Sequence, residues 1–127
     1  MARNADDVDF QSFLLDLQEG DELHISPDRY ADKLELEQQQ LAELAHVHRN
    51  TIRRMPRSQQ LQKYMRESLR VLAAATDLSG SPSKAAFWFR NHPISDFGFK
   101  TAEVLVSEGK VEEVLKYIEM LDAGPAG

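Results

Sequence analysis

The sequence predicts an all-α protein, and three features carry that expectation. Apolar residues recur at three- and four-residue intervals along most of the chain, β-branched residues are sparse, and no Asn-Gly or Asp-Gly hairpin dipeptide occurs. Phe10, Phe13, Leu14 and Leu17 share one face of a first helix, acidic outside, that Gly20 is placed to end. Ser26 before Pro27 and Asp28 is a capping hydroxyl followed by proline at the first helical position. A second helix starts there, with Tyr30, Ala31 and Leu34 at helical spacing. From Glu37 on, Leu41, Leu44 and Ala45 lie on one face, then Val47, then Ile52, which reads as two short helices joined by a tight turn. Pro56 stops the second of them. A longer helix begins near Ser58 and keeps the 3.6-residue period through Leu61, Tyr64, Met65, Ser68, Leu69 and Leu72. The Ser79-Gly80-Ser81-Pro82 stretch breaks it and is the best internal boundary. Residues 83 to 91 form a short helix that is apolar almost all round and is therefore expected to be buried. Pro93 and Gly98 punctuate, residues 101 to 106 form another short helix ended by Gly109, and Val111, Val114, Leu115, Ile118 and Leu121 mark an amphipathic last helix. The tail from Ala123 cannot continue it.

A chain of 127 residues fits one domain or a pair of small helical subdomains. With 42% hydrophobic and 28% charged residues it can bury a core, which excludes wholesale disorder. The absence of cysteine excludes a disulfide scaffold, a thiolate zinc site, an iron-sulfur cluster and a cysteine nucleophile. No run approaches the roughly 18 to 20 apolar residues that span a bilayer. Asp6, Asp7 and Asp9 stand where a leader peptide carries basic residues, so a cytoplasmic protein with no membrane partner is expected.

The net charge of −6 hides an uneven distribution. Residues 1–45 carry 3 basic and 12 acidic side chains, residues 46–70 carry 7 basic ones against Glu67, and residues 71–127 carry 5 and 8. A basic block between acidic ones makes a local patch, and it is a local patch rather than total charge that neutralises phosphates.

That block contains the most informative pattern, Leu41-Ala42-x-x-Ala45-x-Val47 with Ile52 five residues on. A helix-turn-helix needs a small residue where its helices approach, an apolar plug in the turn and an apolar anchor inside the second helix, and Ala45, Val47 and Ile52 fit those places. The outer face of the second helix offers His48, Arg49, Asn50, Thr51, Arg53 and Arg54. Arginine suits guanine edges and phosphates, asparagine suits adenine, and threonine suits phosphates or the thymine methyl. Arg57, Lys63 and Arg66 extend the phosphate footprint. The competing reading is a helical hairpin whose basic face is merely solvated; the coincidence of packing pattern, turn spacing and basic face favours DNA. His46 holds the turn position that often carries glycine, where a positive φ is costly to any other residue.

His24, His46, His48 and His92 show no ligand spacing, since an i,i+2 pair does not share a helix face, so no metal is expected. Without a nucleophile elbow, a glycine-rich phosphate loop or paired carboxylates in an apolar setting, no enzymatic activity and no cofactor are expected. The run Phe87, Trp88, Phe89 exceeds what one helix face buries. It is read as core, or as a surface for a partner or a second copy.

Two blocks together resemble the Xre/MbcA/ParS-type antitoxins of bacterial toxin-antitoxin pairs. Residues 28 to 57 look like an Xre-type helix-turn-helix, above all Leu41-Ala42-Glu43-Leu44-Ala45-His46-Val47-His48-Arg49-Asn50-Thr51-Ile52. Residues 66 to 124 look like the toxin-binding domain that follows it, through Ala85 to Trp88, Asn91, Pro93, Gly98-Phe99-Lys100-Thr101-Ala102-Glu103-x-Leu105, Gly109 and Val114-Leu115-x-Tyr117-Ile118 up to Gly124. Two positions depart from the family pattern: Ala102 stands where members often carry proline, and His46 where the turn usually carries glycine.

The resemblance implies an antitoxin that forms a homodimer, binds the operator of its own operon and masks a toxin acting on NAD. The toxin would be a RES-domain enzyme that degrades NAD, or a related ADP-ribosyltransferase, blocked sterically at its active-site entrance and assembled with the antitoxin into a larger complex. Carried across by position, Lys100, Thr101, Tyr117, Leu121 and Gly124 would face the toxin. Three regions follow: an acidic amphipathic helix over 1–25, a DNA-binding helix-turn-helix over 26–57, and a helical toxin-binding and dimerisation domain over 58–127. The alternative is a plain helix-turn-helix regulator whose C-terminal domain only dimerises, or an interaction module with a vestigial reader.

Overall fold

Hydroxyl caps set where the helices begin. In the computed structural model, which describes residues 10–18 and 24–124, Ser26 accepts from the Arg29 N–H, Ser58 from Leu61, Ser81 from Lys84 and Thr101 from Val104. Two of those caps are followed by proline at the first helical turn, Pro27 and Pro82. The described residues form eight α-helices: α1 (Phe10–Leu17), α2 (Pro27–Lys33), α3 (Gln38–Ala45), α4 (Arg49–Arg54), α5 (Gln59–Ser79), α6 (Pro82–Asn91), α7 (Ala102–Ser107) and α8 (Val111–Ala123). A 3-10 turn occupies Ser95–Phe97, and two isolated antiparallel bridges, Gln18 to Ile25 and Ile94 to Lys100, are the extent of β pairing among the described residues. The protein is all-α. The acidic residues at 6, 7 and 9, the expected helix stop at Gly20, and the last three residues of the tail lie outside the described residues.

The 21-residue α5 is the axle of the molecule, about 30 Å long at 1.5 Å per residue. It buries Leu61, Tyr64, Met65, Leu69, Val71, Leu72 and Ala75, and packs against α3, α6, α7 and α8. One contiguous apolar cluster runs from Phe13 and Leu17 in α1, through Leu41, Ala42 and Ile52, to Val114 and Ile118 in α8. The stretch at 79–82 is a reversal that folds α6 back along α5. Gly80 takes the left-handed conformation at φ 92°, where a Cβ would meet no neighbour, so glycine is there for its backbone freedom and not for space. Gln62, buried inside α5, accepts from the Ile25 N–H at 3.0 Å and donates to the carbonyls of Ile25 and Pro56 at 2.9 and 2.8 Å.

Two expectations about burial change. The helix over 82–91 is not buried all round: Ala85 and Phe89 are fully buried, Trp88 is half-buried and stacks on His92, and Phe87 is 71% exposed. Helix α6 rests on α5 and α7, and those two neighbours leave its third side to solvent. Leu121, placed on the inner face of the last helix, is also exposed; Ile118 is the last buried residue of α8. Among the described residues no helix is long and apolar enough to cross a membrane.

Candidate nucleic-acid interface

Helix α3 starts with the Gln40 side chain accepting from the Glu37 N–H at 2.9 Å and buries Leu41, Ala42 and Ala45. It ends at His46, which stands in the left-handed region at φ 58°, ψ 42°. The Val47 N–H reaches back to the Ala42 carbonyl at 3.0 Å and the His46 N–H to Glu43 at 3.2 Å. This is a Schellman termination with histidine at the position where glycine predominates. A non-glycine residue in this conformation costs on the order of 1 kcal/mol. Residues 46–48 link α3 to α4, with Val47 half-buried against the core and Ile52 buried inside α4.

Of the residues expected to meet DNA, Arg49, Asn50, Arg53 and Arg54 are exposed along α4, while Thr51 is half-buried. His48 has a second duty: its Nδ1 accepts from the Asn50 N–H at 3.1 Å and caps α4, so Nε2 carries the hydrogen and is the atom left to donate outward. Arg57 is exposed beyond Pro56, and Lys63 and Arg66 are exposed on α5. Among the described residues, Arg49, Arg53 and Arg54 take part in no ion pair. By contrast Lys33 pairs with Asp16, Arg70 with Glu112, Arg90 with Glu103, and Lys100 with Glu108. Gln38 and Gln39, at the start of α3, line a cleft together with Arg49, Asn50 and Arg53. Helical periodicity had no means of finding them, because their place beside α4 depends on how the two helices cross.

The residues carried over as toxin contacts are divided between the start of α7 and the second half of α8, and several already have structural duties. Lys100 donates to both carboxylate oxygens of Glu108 at 2.8 and 3.0 Å, and this holds the Glu108 carboxyl below the usual carboxylate range. Thr101 caps α7. Tyr117 is half-buried, edge-on to Phe97 at 5.9 Å, which ties the 94–100 loop to α8. Leu121 lies one helical turn further along the same side, and Gly124 ends the helix, both exposed. Phe99, next to Lys100, is 70% exposed with φ 65°, an unusual conformation for a bulky residue.

A partly buried ion pair, not expected from the sequence, ties α6 to α7, and its arginine also reaches the N-terminal half. Glu103, only 6% exposed, accepts from Arg90 Nε at 3.1 Å, and Arg90 Nη1 also donates to the carbonyls of Leu34 and Glu35, each at 3.0 Å. Burial pushes the Glu103 carboxyl above its ordinary value, and the arginine pulls it partly back. Among the described residues no group of three or more histidines and carboxylates lies close enough together to hold a metal ion. In comparisons with known proteins, no family model, no curated protein and no solved structure matches this chain.

Proposed function

We propose that the chain binds duplex DNA through α4, the second helix of a helix-turn-helix, and acts as an antitoxin that represses its own operon. The observation that carries the DNA reading is the exposed arginine face of α4, which has no ion-pair partner among the described residues although the chain as a whole is acidic. Unneutralised guanidiniums projecting from one short helix are the charge pattern that releases counterions from phosphates. A homodimer would present two such helices to a palindromic operator. The antitoxin half of the proposal rests on the resemblance of residues 66 to 124 to the toxin-binding domain. The partner is then a NAD-degrading enzyme of the RES type, kept inactive by occlusion along the Tyr117 and Leu121 side of α8, with no chemistry performed by this chain.

Two measurements test it. Affinity for a duplex carrying the chain's own upstream sequence should fall steeply with salt, and Arg53→Ala should make the slope of log affinity against log salt shallower by about 1. A salt-independent or absent affinity overturns the DNA half. Purification of the tagged chain from its native host, followed by intact mass, should find one stoichiometric second chain that depletes NAD when expressed alone. Recovery of the chain by itself favours the plain regulator.

A further inference from the structure

We infer that Ser107 and His46 are positioning residues for DNA binding, so that the C-terminal half aims α4 by holding the turn in front of it. The inference rests on the reading of α4 as the DNA-contacting helix.

The last carbonyls of a helix lack intrahelical donors. At the end of α3 three successive ones are taken up by side chains from elsewhere in the fold. The Leu44 carbonyl accepts from Ser107 Oγ at 2.5 Å, and the carbonyls of Ala45 and His46 accept from Gln60 Nε2 at 3.1 and 3.2 Å. The His46 ring completes the arrangement across 61 residues of sequence. Its Nε2 lies 2.9 Å from the Ser107 carbonyl, which can only accept, so Nε2 carries the hydrogen. The Ser107 hydroxyl spends its one hydrogen on Leu44, so at 3.1 Å from Nε2 it accepts as well.

A glycine at position 46 would adopt the left-handed turn without help and leave the direction of the following residues loosely determined. Histidine is less suited to the turn, but its ring is anchored to α7, and the anchor fixes the path by which Val47 and His48 lead into α4. Ser107 and Gln60 line a cleft bounded by α3, α5 and α7, apart from the one lined by Arg49 and Arg53. They therefore act on the arginine face through the turn.

The test uses the full chain and a duplex of about 30 base pairs selected by it from a randomised pool, long enough for two half-sites a helical turn apart. Ser107→Ala removes the hydroxyl. His46→Asn keeps a residue that tolerates the left-handed backbone but is too short to reach Ser107. Each is expected to weaken affinity about five- to tenfold, and the double variant is expected to lose less than the two singles together, the mark of coupled residues: Ser107→Ala takes away the Leu44 bond and the hydroxyl contact but leaves the Ser107 carbonyl to the His46 ring. The salt slope should stay at the wild-type value because the phosphate contacts are the same. Ser107→Thr, which keeps the hydroxyl, should restore binding, and amide exchange over residues 47–54 should quicken in Ser107→Ala. Unchanged affinity, additive losses or an altered salt slope would overturn the inference. If the wild type selects no duplex, the DNA reading fails by itself; faster exchange over 47–54 in Ser107→Ala then still upholds the hold on the turn, and unchanged exchange overturns it.

Discussion

The turns before and after α5 are built on different terms. Before it, the left-handed positions among the described residues are Glu35 at φ 57° and His46 at φ 58°, and each is bonded from the C-terminal half, Glu35 through its carbonyl by Arg90 and His46 through its ring by Ser107. After it, Gly80, Gly98 and Gly109 take the left-handed conformation with no such help, and Phe99 is the exception, in a loop closed by its own Ile94 to Lys100 bridge. The lesson is that the N-terminal helices do not make a self-sufficient unit. Their geometry is completed by side chains that arrive only when α6 and α7 have packed on α5.

Removing the packing should have the largest effect. Phe89→Ala, which empties a fully buried site where α6 meets the core, should cost about 3 to 5 kcal/mol in a denaturant titration and loosen α3 and α4 along with α6. Next comes Arg90→Ala, which strands the buried Glu103 carboxylate and frees the Leu34 and Glu35 carbonyls, at about 3 kcal/mol. Glu103 also makes the stability of this junction pH-dependent. Its raised carboxyl means that the native state binds the proton more tightly than the unfolded chain does. The stability it contributes is therefore greatest at low pH and declines as pH rises above the ordinary carboxyl value of 4.5. Thermal melts should accordingly show Glu103→Gln gaining on the wild type as pH rises from 4 towards 7; a difference that stays flat or moves the other way would mean that Glu103 is not held as described. Gly80→Ala should cost about 1 kcal/mol, all of it conformational, since a Cβ there meets nothing. Phe87→Ala, two residues before Phe89 but facing solvent, should change stability by less than about 0.5 kcal/mol.

Much of the molecule was legible in sequence wherever the determinant was local. Ser26 with Pro27 and Ser58 start helices because a hydroxyl and a fixed φ act within one turn. Leu41, Ala42, Ala45 and Ile52 are buried because their spacing puts them on one side of two short helices. The exposed arginines of α4 follow from the same period, and even the strain at His46 was visible as a histidine in a glycine's place. Less legible were the residues whose partners are distant in the chain. Periodicity puts Leu121 inside and leaves Phe87 between core and partner surface, because hydrophobicity says that a side chain would gain by burial, not whether another helix is there to bury it.

The helices, their caps and the position of the basic face are written in the order of residues along the chain, because they depend on contacts among residues three or four apart. It takes the packed fold to bring Ser107 to the turn before α4, Arg90 to the turn before α3, and the buried Glu103 carboxyl to that arginine. Those pairings lie between 13 and 61 residues apart. No period encodes them, since they exist only once α5 has gathered the other helices around it.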